Sequence, residues 1–91
     1  MNKKDLFEKN LLLSTEFSRY LLENPDIAEQ IPNDAIVVIL PEYDKELAEE
    51  NLSIAKARKE EGQSMVLVNV EKLAPPRKSR LIRPKMELVH A

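Results

Sequence analysis

The 91-residue sequence lacks cysteine and tryptophan and contains one glycine and one histidine. Without cysteine the chain forms no disulfide, and a single histidine does not supply the ligands of a structural zinc site. Phosphate-binding loops need glycines that let backbone amides approach the anion, so nucleotide binding of that kind is not expected. Small domains without disulfides or metals often gain stability by association. We therefore expect a homo-oligomer with no metal and no cofactor.

Long apolar runs are also absent. No stretch approaches the roughly 18 apolar residues that a membrane-spanning helix requires. A secretory signal is not expected either, because Asp5, Glu8 and Lys9 interrupt the segment where its apolar core would lie. We expect a cytoplasmic protein that makes no membrane contact.

Charge is unevenly distributed along the chain. Residues 1–71 contain 8 Lys or Arg against 15 Asp or Glu, a net charge of −7, whereas residues 72–91 contain 6 against 1, a net charge of +5. Pro75 and Pro76 follow the last long apolar run. We predict one compact acidic domain over residues 1–74 and a basic C-terminal tail over residues 75–91.

Apolar residues at helical spacing predict a first helix from Lys3 to Glu23, with Asn2 as its N-cap. Its apolar face covers about half of the circumference, which is more than one packing partner requires. This width indicates an additional contact with the returning C-terminal tail or with a second subunit. A short helix from Pro25 to Gln30 is predicted next, and Pro32 ends it.

Two apolar runs flank a second amphipathic segment. The run from Ala35 to Leu40 has no polar alternation, which is typical of a strand covered on both faces. Asp44 is the predicted N-cap of a helix from Lys45 to Glu61, and Gly62 stands where a left-handed residue ends helices. The run from Met65 to Val70 predicts a second strand.

The order strand, helix, strand predicts a β-α-β unit with parallel strands, so the expected fold class is α/β, or α+β if the C-terminal segment pairs antiparallel. Two parallel strands alone make a poor sheet, because parallel pairs need neighbours and covered faces. We expect the sheet to be completed by residues 81–89 or by a second subunit.

Ligands of parallel α/β units bind beyond the carboxyl ends of the strands. At that edge the sequence places Glu42, Tyr43, Asp44, Glu71 and Lys72. Paired carboxylates beside a tyrosine and a lysine are able in principle to perform acid–base chemistry on a small ligand. The competing interpretation is structural, because Asp44 already serves as a helix cap and neither His nor Cys accompanies it. We assign no catalytic residue.

Three further polar residues attract attention. Asn51 and Asn69 interrupt otherwise apolar patterns, so each either bonds across the core or an interface, or lies at the edge of burial. The single histidine, His90, is next to the last residue, where a solvated side chain is the ordinary case. We predict no metal site.

The tail carries one compact cationic cluster, made of Arg77, Lys78, Arg80, Arg83 and Lys85. Such a cluster attracts acidic protein surfaces and phosphate backbones, although it is often simply a solvated tail. No aromatic residue lies between the cations, which removes the base stacking used by single-strand binders. The composition favours a protein contact over nucleic acid.

Several short motifs together resemble a known family. They are Glu16-Phe17, Tyr20-Leu21-Leu22-Glu23, Pro25, Ala28-Glu29, Ile31-Pro32, Leu40-Pro41-Glu42, Asn51-Leu52, Ala55-Lys56, Glu61-Gly62, Pro75-Pro76 and Ser79-Arg80. This set is similar to a small prokaryotic domain family of unknown function, over most of the chain. The resemblance implies a compact, free-standing domain and supplies no activity, substrate or site residue.

Three function hypotheses follow. The leading one is a non-enzymatic, oligomeric protein-interaction or regulatory module that works through its oligomer surface and its basic tail. An antitoxin-like role, in which the tail contacts a partner enzyme, is one concrete form of it. The alternatives are nucleic-acid binding through the tail, and a small enzyme or ligand-binding protein that uses the strand-end residues.

Overall fold

The computed structural model describes residues 1–76 and 79–90. The elements follow in the order α1 (Lys3–Glu23), α2 (Pro25–Ala28), β1 (Ile36–Pro41), α3 (Lys45–Arg58) and β2 (Met65–Val70). An N-terminal helical segment therefore precedes one β-α-β unit.

Helix α1 has the bounds that the sequence predicts. The side-chain oxygen of Asn2 accepts a 2.8 Å hydrogen bond from the backbone amide of Asp5, which satisfies one of the free amides of the first turn. No glycine or proline interrupts the helix before Asn24, and Pro25 then disfavours helical geometry at the preceding residue. Pro25 is the first residue of α2, which is shorter than predicted and ends at Ala28.

The strands β1 and β2 are parallel neighbours in one two-stranded sheet, which confirms the predicted α/β class. Ile36 pairs with Met65 at one end and Pro41 pairs with Val70 at the other. Helix α3 forms the crossover between the strands and packs against β1.

Helix α3 ends at Arg58, three residues earlier than predicted, and the assignment of Gly62 as its stop signal is wrong. Lys59 already has extended backbone angles, so the chain leaves the helix there. Gly62 does adopt the left-handed conformation, with φ of 77°, but it does so in the turn from Glu60 to Gln63. The Gln63 side chain fixes this turn, because its oxygen accepts from the Glu60 amide and its nitrogen donates to the Asp34 carbonyl at 2.6 Å.

The buried apolar core is small and is formed by Leu13, Val38, Leu47 and Ala55, with Pro41 also buried. Val38 and Pro41 are three positions apart and therefore lie on opposite faces of β1, so each face has one fully buried residue, whereas Val37, on the Pro41 face, is exposed. Strand β2 contains no fully buried residue, and Leu67 and Asn69 on it are exposed.

Beyond β2, residues 71–76 and 79–90 form no helix or strand. The described part of the chain thus does not complete the sheet with its own residues 81–89. Of the two predicted ways to complete the sheet, only pairing with a second subunit stays open.

Candidate functional site

The strand-end edge brings its five predicted residues into one region because β1 and β2 end side by side. Pro41 pairs with Val70, so the following residues, Glu42 and Glu71, leave the sheet at the same edge. The Glu42 amide extends the ladder by donating to the Val70 carbonyl at 2.8 Å. The side chains of Glu42, Tyr43, Glu71 and Lys72 are exposed.

Asp44 is fully engaged in structural contacts. One of its carboxylate oxygens accepts a 3.1 Å hydrogen bond from the Leu47 amide, which confirms the predicted N-cap of α3. The other oxygen accepts a 2.9 Å hydrogen bond from Lys9 Nζ on α1. The contact with Lys9, supported by the Leu47 amide, lowers the pKa of Asp44. Partial burial, with a smaller effect from the Asp44 charge, raises the pKa of Tyr43.

Replacing Asp44 separates its two roles. Asp44→Asn keeps an oxygen that caps α3 but removes the ionic contact with Lys9, whereas Asp44→Ala removes both. We expect the free energy of unfolding to decrease in the order wild type, Asp44→Asn, Asp44→Ala, as measured by urea denaturation at pH 7.

The pH dependence of the free energy of unfolding is the control for the ionic contact between Asp44 and Lys9. Because folding lowers the pKa of Asp44, its stabilising effect is fully present above pH about 4 and is lost as the pH falls through the depressed folded-state pKa. The difference between wild type and Asp44→Asn should therefore shrink in acid. A difference that stays constant from pH 7 to pH 2 would contradict the ionic role.

A network of asparagine side chains joins three elements. Asn10 on α1 and Asn51 on α3 exchange two 2.9 Å hydrogen bonds, each amide nitrogen donating to the oxygen of the other. Asn51 also donates to the backbone carbonyl of Ile39 on β1 at 2.9 Å. Of the alternatives left open for Asn51, the structure shows bonds to other elements from a part-buried position, whereas Asn69 is exposed at the edge of burial. Asn10 carries no sequence signal, since one polar residue in a mixed helix is unremarkable.

The asparagine pair borders an open cavity of about 690 Å³ between α1, α3 and β1. Its floor is formed by residues 36–39, and Lys3 and Arg58 are the charged residues at its rim. No nucleophile paired with a base lies among its lining residues. Within the described ranges, no group of three or more His, Asp or Glu residues lies close enough to hold a metal ion. The cavity thus has the composition of an imperfectly filled helix–sheet interface.

The C-terminal tail exposes large apolar side chains along residues 79–90. Its large apolar side chains are between 72% and 97% exposed, namely Leu81, Ile82, Met86, Leu88 and Val89. The cations Arg80, Arg83 and Lys85 lie among them and are also exposed, whereas Arg77 and Lys78 fall outside the described residues. Just before this segment, residues 73–76 line a groove along α1 together with Leu12, Arg19 and Glu23.

Helix α1 presents a second exposed apolar surface. Phe7, Leu11, Leu12 and Leu22 are all exposed, and Leu22 is 83% exposed. Packing within this chain buries only Leu13 of α1 completely, so part of the wide apolar face that the sequence predicts stays exposed. The tail and this helix surface both expose several large apolar side chains among their polar residues.

A search of the described helices finds none that is long and apolar enough to cross a bilayer. Comparisons with curated proteins and with solved structures returned no match. The model of a family of unknown function, DUF5647, matches residues 5–84, which cover α1 from its third residue onward and every later helix and strand. The chain therefore belongs to the family of unknown function DUF5647.

Proposed function

We propose that this protein is a non-enzymatic, oligomeric protein-interaction or regulatory module of the cytoplasm, which captures an acidic protein partner through its C-terminal tail. The observation that carries the proposal is the exposure of all five large apolar side chains in residues 79–90. A segment that only keeps a domain soluble does not need large apolar residues at this density.

The order of residues in the tail supports a partner that binds it in an extended form. Within residues 82–88, Ile82, Met86 and Leu88 occupy even positions and Arg83, Lys85 and Glu87 occupy odd positions, while Leu81 and Val89 at either end also fall on odd positions. Since alternate side chains of an extended chain point to opposite sides, residues 82–88 would present one apolar and one mainly cationic side once binding extends the chain at Arg83, whose φ is 44° in the structure. Such a segment can add to the edge of a sheet while its cations meet carboxylates.

The free energies involved are sufficient for reversible binding. Burial of one large apolar side chain contributes about 1.5–3 kcal/mol, whereas ordering a flexible segment costs about 2–5 kcal/mol or more in total. The three side chains of the apolar side, Ile82, Met86 and Leu88, together contribute about 4.5–9 kcal/mol, which offsets that ordering cost. An antitoxin-like role, in which the tail inhibits a partner enzyme, is one form that this mechanism would take.

The test is affinity capture from a native lysate with quantitative mass spectrometry, using the full-length chain and two tail variants. Ile82→Glu/Leu88→Glu alters the apolar side and Arg83→Glu/Lys85→Glu alters the cationic side. We expect each variant to lose the specifically captured protein at least tenfold. Lys45→Glu/Lys56→Glu changes two exposed cations of α3 and serves as the matched charge control, for which we expect full capture.

Two results would contradict the proposal. Capture of the same proteins in the same amounts by the tail variants would exclude the tail as the binding segment. Co-purification of nucleic acid that high salt removes, with no captured protein, would instead support the nucleic-acid alternative.

A further inference from the structure

One face of α1 is exposed along the whole helix and forms a continuous stripe. The members of this stripe, here called the α1 outer face, recur at intervals of three or four residues and therefore lie on one side of the helix. They are Lys4, Glu8, Leu11, Leu12, Thr15, Arg19, Leu22 and Glu23, and all of them are exposed. The opposite side of the helix carries Leu13 and Asn10, which face the rest of the chain.

The charges on the α1 outer face alternate in sign, so the order of signs from the N-terminus is the inverse of the order from the C-terminus. Going from the N-terminus, the signs are positive at Lys4, negative at Glu8, positive at Arg19 and negative at Glu23. An identical helix can lie antiparallel to α1 in a single alignment that forms two opposite-charge pairs. Lys4 then lies opposite Glu23 of the second copy, and Glu8 lies opposite its Arg19. One register thus satisfies both pairs, and the two-fold axis repeats each of them.

A parallel arrangement has the reverse effect. It would place Lys4 beside Lys4 and Glu8 beside Glu8 of the other copy, so every charged position would meet a like charge. The antiparallel register is also centred between Leu13 and Ser14, which is the middle of α1. The helices would therefore overlap over their full length.

Apolar residues occupy the middle of the face. In the antiparallel register Leu12 lies opposite Thr15 of the second copy, and Leu11 lies beside this contact on the same stripe. Arg19 already donates to Glu16 at 3.1 Å, but this pair is exposed and uses one of several guanidinium donors. Residues 73–76 border the face on one side, since they line a groove together with Leu12, Arg19 and Glu23, and they would flank a helix of a second copy.

We propose that two copies of this chain form a two-fold dimer in which their α1 helices pack antiparallel through the α1 outer face. The occupant of the α1 outer face is thus a second copy, selected by the charge register. The inference rests on the proposed function in that it specifies its oligomer, but it involves a surface separate from the tail.

A charge-exchange experiment tests the register. We would measure the dimer dissociation constant by sedimentation velocity over a dilution series for wild type, Glu8→Arg, Arg19→Glu and the double variant Glu8→Arg/Arg19→Glu. Each single reversal replaces two attractive contacts with two repulsive ones, so we expect dissociation constants raised about tenfold or more. The double variant restores opposite signs and should return to within about threefold of wild type.

This restoration can only arise between copies. Residues 8 and 19 are eleven positions apart on one straight helix, about 16 Å along its axis, so they do not contact each other within a chain. Glu61→Arg, in the turn after α3, is the control for a charge reversal outside the face, and it should leave the dissociation constant unchanged. Circular dichroism of each variant confirms that the helix content is retained.

Two results would overturn the inference. One is a wild-type chain that stays monomeric up to about 1 mM. The other is a double variant that dimerises no better than the weaker single variant. Unchanged capture by the tail variants would contradict the tail contact and leave the α1 dimer intact. A monomeric chain would remove the oligomer from the proposed function but leave capture by the tail unchanged, so the two failures can be distinguished.

Discussion

Asn51→Ala should lower the free energy of unfolding by about 2 kcal/mol, measured by urea denaturation at pH 7. The side chain takes part in three hydrogen bonds of 2.9 Å, two with Asn10 and one with the carbonyl of Ile39. Alanine removes all three and leaves the Asn10 amide and the Ile39 carbonyl without these partners in a part-buried region. The loss is therefore larger than that of one exposed hydrogen bond.

Two controls make this prediction specific. Asn69→Ala replaces an exposed asparagine on β2 and should change stability by less than about 0.5 kcal/mol. In a double-mutant cycle, Asn10→Ala/Asn51→Ala should cost clearly less than the sum of the single variants, because both remove the same amide pair. Equal effects of Asn51→Ala and Asn69→Ala would show that the network does not stabilise the contact between α1 and α3.

The asparagine network also marks a limit of sequence-based prediction. Asn51 is noticeable because it interrupts the apolar positions of α3, so a buried partner could be anticipated. Its partner Asn10 lies 41 residues away, and which residue of α1 faces Asn51 depends on how the two helices pack. Local patterns contain no information on that geometry. The same holds for Lys9, which bonds to Asp44 across 35 residues.

Local signals did predict most of the fold. The bounds of α1 follow from Asn2 and Pro25, and the parallel pairing of β1 with β2 follows from the length and helical character of the segment between them. The sequence predicts the end of α3 too late, because a glycine with positive φ occurs in tight turns as well as directly after helices. Here the contact of Gln63 with Asp34 holds that turn, and this contact is tertiary.

The sequence predicts which residue types lie at the candidate site, but it does not predict the contacts that they make. The strand-end order places Glu42 and Glu71 at one edge, and the structure confirms that position. It also shows that Asp44, which would be the natural base, is occupied by the Leu47 amide and by Lys9. The exposure of the tail's apolar side chains could not be predicted from the sequence. The sequence shows the composition of residues 79–90, but it does not show whether they fold back onto their own domain.

Leu47→Ala should have the largest effect on stability, about 3 kcal/mol. Leu47 is 1% exposed, in a core that contains only three other buried apolar side chains besides Pro41. A domain of this size has a total stability of the order of 5 kcal/mol, so about 2 kcal/mol would remain, which corresponds to roughly 3% unfolded chains. Leu88→Ala in the tail removes the same group from an exposed position and should leave the unfolding midpoint unchanged. Because Leu88→Ala should instead weaken partner capture, the two leucines separate residues that maintain the fold from residues that serve binding. A stability loss for Leu88→Ala comparable to that of Leu47→Ala would show that the tail packs onto its own domain in solution.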